Sequence, residues 1–352
     1  MTNKETSTTA VVNRRKKLWW QVPLLLLLVL GTLYIAYMRN AAPYHKDSGL
    51  IFGTVYNITY QHEQNLKDSI EAELKHVDRE FSMFNEQSTV SMLNRGEAAQ
   101  LSDWFLEVYD MAATVNGETA GAFDITVAPL VNAWGFGFKH EQLPTALQVD
   151  SLRSIIGMQH VALDRKSRSL SKDDARVMFD FSAIAKGYGA DCVARMLARN
   201  GVSNYMVEIG GEIVTRGKSP SSTPWRIGVT KPTDDSLQTS QELQTVLGLT
   251  NRALATSGNY RNFYYNGGRK YAHTIDPQTG YPVQHSLLSA TVLARNCATA
   301  DAYATAFMVL GMERAREVLS RHPELSAYLI YSDEQGNYAV WSSPEVDKMI
   351  VR

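Results

Sequence analysis

The chain has 352 residues, 44% of them hydrophobic and 20% charged, with a formal net charge of −1. This is ordinary globular composition, enough for one large domain or two lobes, and the near-neutral balance without a basic stripe argues against a nucleic-acid surface. The two cysteines, Cys192 and Cys297, offer no CxxC or zinc-type spacing and neither establish nor exclude a disulfide.

The first charge cluster, Arg14-Arg15-Lys16-Lys17, precedes an apolar run from Leu18 to Met38. The run approaches the roughly 20 residues that span a bilayer as a helix. Trp19, Trp20, Tyr34 and Tyr37 sit toward its ends, where amphipathic rings favour the headgroup region. It is long for a signal-peptide core, and neither a small-residue cleavage site nor a lipid-accepting cysteine follows it. An uncleaved anchor over 18–38 is therefore expected, with 1–17 as a cytoplasmic basic tail. Residues 39–48 read as a linker and 49–352 as the soluble domain. In a bacterium this describes a single-pass inner-membrane protein with its soluble domain in the periplasm.

Phe52 to Tyr60 is rich in β-branched and aromatic residues and reads as a strand. Ile70, Leu74, Val77 and Phe81 recur at helical spacing. Ser102-Asp103 opens a second helix that Asn116-Gly117 closes. A third helix covers Lys186 to Arg199, and Tyr205 to Val214 is a strand broken at Gly210-Gly211. Strands follow near 225–230, 244–250, 270–275 and 287–294, with polar connections at 218–224 and 232–242. A helix over about 298–310 ends at Gly311 and another covers 312–321. Ala327–Ser332 and Tyr338–Ser342 form a closing hairpin. Helices and strands interleave without βαβ spacing, which predicts an α+β fold rather than a doubly wound sheet.

Four polar, glycine-punctuated clusters carry the candidate chemistry. Asp180-Phe-Ser-Ala-Ile-Ala-Lys-Gly-Tyr-Gly-Ala190 enters the third helix, where free N–H groups suit an anion such as a pyrophosphate and Lys186 adds positive charge. The same residues also read as a helix start capped by Ser182. Asp301 and Thr305 share one helix face among small alanines, a carboxylate and a hydroxyl of the hard kind that Mg²⁺ takes. A cap or a solvated Asp is the commoner fate of such a pair. In His273-Thr-Ile-Asp-Pro-Gln-Thr-Gly280, His273 could be a general base or a satisfied structural histidine, and Asp276 could bond only its own turn. The fourth cluster is Gly121-Ala-Phe-Asp-Ile-Thr126. Gly210-Gly211 would admit a flat ligand or mark a bulge, and Thr256–Arg261, polar and turn-like, could line the same cleft. Gly217-Lys218-Ser219 looks like the end of a phosphate loop, but position 212 is Glu rather than Gly and Pro220 opposes the helix that must follow.

In their order along the chain the clusters resemble the ApbE family of FAD-dependent FMN transferases, from about residue 50 to the C-terminus. The stretches Ala122 to Gly137, Lys231-Pro-Thr233 and Thr299 to Gly311 strengthen the resemblance. It implies one catalytic domain, in one or two lobes, behind the anchor. Such a domain moves the FMN half of FAD onto a Ser or Thr hydroxyl of a target protein and releases AMP, with Mg²⁺ as cofactor. The implied acceptor carries a Ser/Thr-Gly-Ala-Thr-like motif and is a protein such as a membrane redox-pump subunit; this chain has no such tetrapeptide. The implied metal ligands are the backbone oxygen of Ala183, the Asp301 carboxylate and the Thr305 hydroxyl. The implied FAD contacts are Phe52, Phe84, Ala122, Phe123, Asp124, Asp180, Lys186 and Ile275. His273, with Asp276 beside it, is the implied base. Phe52 and Phe84 stand where relatives often carry Met and Tyr, Lys186 where some carry Glu, and Ala304 where some carry a further acidic ligand. Rival readings are a hydrolase that splits FAD into FMN and AMP, and a non-catalytic flavin carrier.

Overall fold

The computed structural model describes residues 21–39, 42–137, 143–232, 242–259, 263–266 and 269–351. It divides into two compact units, Met1–Pro43 and Tyr44–Arg352. In the first, Gln21–Arg39 is a helix, α1, whose residues Leu24 to Leu28 are all more than half exposed. Among the described residues no helix is long and apolar enough to cross a membrane. The basic tail and Leu18–Trp20 of the expected anchor lie outside the described residues.

The second unit opens with strand β1, Tyr44–Ile51, paired antiparallel with β2, Thr54–Gln61. The linker expected over 39–48 is therefore shorter, because residues 44–48 are committed to the ladder. Asp47 is buried there and accepts a hydrogen bond from Tyr60 Oη at 2.8 Å. The strand expected from Phe52 likewise starts two residues later. Phe52 and Gly53 form the hairpin turn, both at positive φ (52° and 71°), which matches the right-handed twist of the flanking strands.

Helix α2, Lys67–Phe81, buries Ile70, Leu74, Val77 and Phe81, the stripe read from their spacing. It is followed by α3, Thr89–Asn94. The next helix, α4, Asp103–Glu118, is capped by Ser102, whose hydroxyl accepts from the Phe105 N–H at 3.0 Å. Short elements follow: α5, Ala128–Ala133; α6, Ala146–Arg153; and the β3–β4 hairpin, Val161–Asp164 with Ser169–Lys172. Helix α7, Ser182–Arg199, begins four residues before its expected start, and its opening N–H at Ser182 goes to Asp180 Oδ1 rather than to a Ser182 cap.

Strands β5, Tyr205–Ile209, and β6, Glu212–Arg216, form a hairpin whose turn is Gly210-Gly211, both at positive φ. The glycine pair is thus a turn, not a bulge. Then come β7, Trp225–Thr230; β8, Leu243–Leu249; β9, Ala253–Gly258; β10, Phe263–Asn266; β11, Arg269–Ala272; and β12, Leu287–Ala294. The expected strand 270–275 ends at Ala272, and Ile275 keeps only an isolated bridge to Pro282. Thr256-Ser257-Gly258, expected as a turn, belongs to β9 because β12 supplies a partner ladder, Thr256 opposite Thr291. Tyr260 and Arg261 lie outside the described residues, as does most of the 232–242 connection. Helix α8, Cys297–Arg321, breaks at Gly311 (φ 75°), where the sequence places the end of one helix and the start of the next. The chain closes with β13, Ser326–Ser332, β14, Tyr338–Ser342, and the short helix α9, Pro344–Asp347.

The main sheet runs β1-β2-β5-β6-β9-β12-β13-β14, antiparallel throughout. Its period-two pattern divides the core. Val214, Ala253, Ala255, Val292 and Leu329 join the helices α7 and α8 on one face. Their strand neighbours Ile213, Leu254, Leu293 and Ile330 pack with Trp225, Ile227 and Leu247 of the β7–β8 ribbon on the other. Helices segregated onto one face of an antiparallel sheet make this the expected α+β architecture.

Candidate active site

The site grows from the crossing of α7 and α8. Gly187 stands where α7 meets the first turn of α8: a Cβ there would lie 2.7 Å from the Cys297 carbonyl carbon and 2.9 Å from Ala298 Cα, both backbone. Asp191, one turn along α7, accepts from the Cys297 and Ala298 N–H groups at 2.8 and 2.9 Å. It therefore satisfies two donors that a helix start leaves open. Burial pushes the Asp191 carboxyl up to about 7, against the pull of these two N–H groups. Both cysteines are free and buried; Cys192 is held as a thiol by burial, which pushes it up to about 12.

This crossing delivers Asp301. Its side chain is buried, and Oδ2 accepts from the Gly187 N–H at 3.0 Å. In a regular helix that N–H would go to the carbonyl four residues back, Ala183. The Asp301 carboxylate is thus directed at the stretch of α7 that carries Ala183, although the two residues are far apart in sequence. Thr305 lies one turn beyond Asp301 on the same face, its hydroxyl 3.1 Å from Ser257 Oγ of β9. Burial raises the Asp301 carboxyl above its usual range, with Lys186 and the Gly187 N–H opposing.

Lys186 forms an ion pair with Glu212, the first residue of β6. Glu212 is almost wholly buried, and its second oxygen, Oε2, has no hydrogen-bond partner among the described residues. Burial pushes its carboxyl up to about 7, with Lys186 lowering it and Asp301 raising it further. Lys186 keeps its charge: burial opposes it, but Glu212 and Asp301 hold the ammonium above its ordinary range. Glu212 escaped the sequence reading. Its only signal is a charge directly after a glycine turn and before the apolar pair Ile213-Val214.

The start of α7 is fixed by its neighbours. The Asp180 N–H donates to Ile125 O at 2.7 Å, tying the helix entrance to the 121–126 segment. Asp124 Oδ1 takes the Thr126 N–H and hydroxyl at 2.8 and 2.6 Å, and Asn116 donates to Oδ2 at 3.2 Å. Ala122 and Phe123 are buried in the main core. Asp124 and Asp180 therefore shape backbone, and burial raises both carboxyls above their ordinary range.

Two aromatic rings line one cleft. Phe52 packs on Gly189 of α7, where a Cβ would approach its ring to 2.9 Å. With Phe84, Asp78, Ser82 and Asn85 it lines a cleft of about 290 Å³. Phe84 is 75% exposed. A bulky residue at positive φ, as Phe52 is, marks a strained turn kept in place by its surroundings.

The 273–280 segment is built differently from expectation. His273 lies past the end of β11, half-buried, its ring edge-on to Phe136 at 6.4 Å between centroids. Ile275 is buried with Leu130, Trp134, Val149 and Ile156 in a separate small core. Asp276 Oδ1 accepts from the Gln278 N–H at 2.8 Å while its backbone oxygen takes the Gly280 N–H, so its carboxylate closes its own turn. Trp134 Nε1 donates to Gly280 O at 2.8 Å and Gln278 reaches Ala120 O, pinning this turn to the 121–126 segment.

Among the described residues no group of three or more His, Cys, Asp or Glu is gathered as a metal cluster. The donors at the α7–α8 crossing are instead a carboxylate, a hydroxyl and a carbonyl, beside an orphan carboxylate oxygen. Hard oxygen donors of this kind fit Mg²⁺.

Residues 52–329 match the ApbE family. The chain belongs to that family. Among its ApbE relatives, the FAD:protein FMN transferase of Haemophilus influenzae is 37% identical over 88% of this chain and 94% of that protein. The FAD:protein FMN transferase of Escherichia coli K12 is 34% identical over 85% of each. The solved flavin transferase ApbE from Vibrio cholerae superposes with a TM-score of 0.78 at 36% identity, covering 88% of this chain and 99% of that one. The ApbE protein of Thermotoga maritima does so with 0.76 at 27% identity, covering 88% and 100%.

Proposed function

We propose that this chain is an FAD:protein FMN transferase that uses Mg²⁺ and carries FMN from FAD to a Ser or Thr hydroxyl of another protein. The hydroxyl oxygen bonds to the FMN phosphorus, the bond from that phosphorus to the AMP phosphate oxygen breaks, and the hydroxyl proton is taken up by a base. The observation that carries this reading is the meeting of Asp301 with the start of α7 through the Gly187 N–H. It sets a buried carboxylate against the second turn of α7, where a divalent cation would meet a pyrophosphate.

Asp301, Thr305 and the Ala183 carbonyl would hold the cation, whose charge offsets that developing on the departing phosphate. Lys186 adds a second positive charge at the same place. Phe52 and Phe84 offer ring faces to a flat heterocycle of FAD. His273 accepts the proton of the incoming hydroxyl, while Asp276 shapes the turn that carries the histidine.

The same proposal places the catalytic unit beside a membrane. Support comes from the Leu18–Met38 run and the basic residues before it. The basic flank puts the catalytic unit on the periplasmic side of a bacterial inner membrane. A subunit of a membrane redox pump carrying a Ser/Thr-Gly-Ala-Thr-like motif is the expected acceptor, since tethering raises its effective concentration.

The test is the intact mass of such a subunit after incubation with the protein, FAD and Mg²⁺, with and without EDTA. A gain of one FMN that EDTA abolishes is expected. Free FMN and AMP with no mass gain would instead identify a hydrolase, and neither product would identify a carrier.

A further inference from the structure

The orphan oxygen of Glu212 has no role in the proposal above. Glu212 is buried at the head of β6, one oxygen paired with Lys186 and the other without a partner among the described residues. A buried carboxylate oxygen left without a donor is costly unless a ligand completes it. The charges point the same way. Asp301 and Glu212 both act on Lys186, so two buried carboxylates share one ammonium. A buried charge without compensation is strongly disfavoured, and a divalent cation at Asp301 would supply what is missing.

We infer that Glu212 is a further positioning residue of the divalent-cation site, its Oε2 accepting hydrogen bonds from water bound to the cation while Oε1 holds Lys186. This rests on the cation site proposed above. Mg²⁺ retains several of its waters when bound, and groups that orient such ligands typically change metal affinity about 10–100-fold when removed. On this account Lys186 is held back from the cation, and Glu212 serves both charges at once.

The test is Mn²⁺ binding to the full chain in detergent without FAD, read from the spin-resonance signal of free Mn²⁺. Glu212→Gln alone would leave Lys186 unneutralised, which by itself repels a cation. The deciding variant is therefore the double substitution Glu212→Gln with Lys186→Met. It replaces the buried pair by neutral groups of similar volume, a change that is often neutral for stability. Mn²⁺ affinity at least about 10-fold below wild type in the double variant is expected. Wild-type affinity in the double variant would overturn the inference, because Glu212 would then only neutralise Lys186. Asp301→Ala separates the two readings: lost Mn²⁺ binding upholds the cation site whatever Glu212 does. Unchanged binding in Asp301→Ala would overturn that site and this inference with it.

Discussion

Gly187→Ala tests the packing on which the site depends. The added Cβ would sit 2.7 Å from the Cys297 carbonyl carbon and 2.9 Å from Ala298 Cα, against the 3.4 Å at which ordinary contact begins. The nearer approach falls 0.7 Å short, and both atoms are backbone at the start of α8, so no side chain can rotate away. Forcing an extra methyl into such a contact costs about 1–3 kcal/mol, of which up to about 1 kcal/mol is returned by the better helix propensity of Ala. Because the Cys297 carbonyl oxygen lies nearer still and is also backbone, the cost falls in the upper part of that range, about 2–3 kcal/mol. A net loss of about 1–2 kcal/mol follows, or roughly 2–8 °C in Tm at about 2–4 °C per kcal/mol for a large domain. The comparator is Gly117→Ala in the last turn of α4, where a Cβ meets nothing within 4 Å. There the change stabilises by up to about 1 kcal/mol. Thermal unfolding of the three proteins, monitored by circular dichroism, gives the order Gly117→Ala, wild type, Gly187→Ala. Gly187→Ala also moves the N–H that holds Asp301, so FMN transfer drops up to about 100-fold, as small misplacements at reacting centres do. A Gly187→Ala protein as stable and as active as wild type would refute the close-crossing account of the site.

Asp301→Asn keeps the buried shape but removes the charge, and FMN transfer falls at least about 100-fold with EDTA no longer affecting the residue of activity; steady-state labelling of an acceptor measures it. Phe84→Ala leaves Tm unchanged, because the ring is 75% exposed, yet raises the KM for FAD roughly 10-fold with kcat preserved, as loss of a stacking face would. Asp191 is titrated differently in the two states: burial pushes it up to about 7 in the fold from an ordinary 3.8. The folded protein then holds a proton that the unfolded chain releases, so stability falls as pH rises between about 4 and 7. Arg195 and Glu107 act on the same carboxyl, the first lowering and the second raising it. Urea unfolding across that range shows a smaller fall in Asp191→Asn than in wild type, the remainder coming from the other carboxyls that burial raises, Glu212, Asp301, Asp124 and Asp180; an identical slope in both would remove Asp191 as a source.

The sequence by itself determined the features that are local. Helical spacing located Ile70, Leu74, Val77 and Phe81 on one buried face of α2, Ser102 capped α4, and β12 and the closing hairpin lie where their apolar runs place them. Gly311 breaks α8 where a glycine should, because only it adopts that positive φ without a Cβ penalty. Motif order brought the ApbE resemblance, and with it the candidate ligands. Wherever a partner distant in the chain decides, local pattern was insufficient. Residues 44–48 became strand because β2 offered a ladder, and 256–258 because β12 did. Two outcomes stayed local: Asp180 rather than Ser182 serves the start of α7, and Asp276 closes its own turn, as one reading of the sequence had it. Glu212 gained meaning only when the β5–β6 hairpin laid it against Lys186, beside Asp301 of α8. Spacing along a chain records which face a residue presents, through backbone geometry. Which charges share a buried volume depends on how close two backbones pass, and at Gly187 that was decided by a missing methyl group in the tertiary packing.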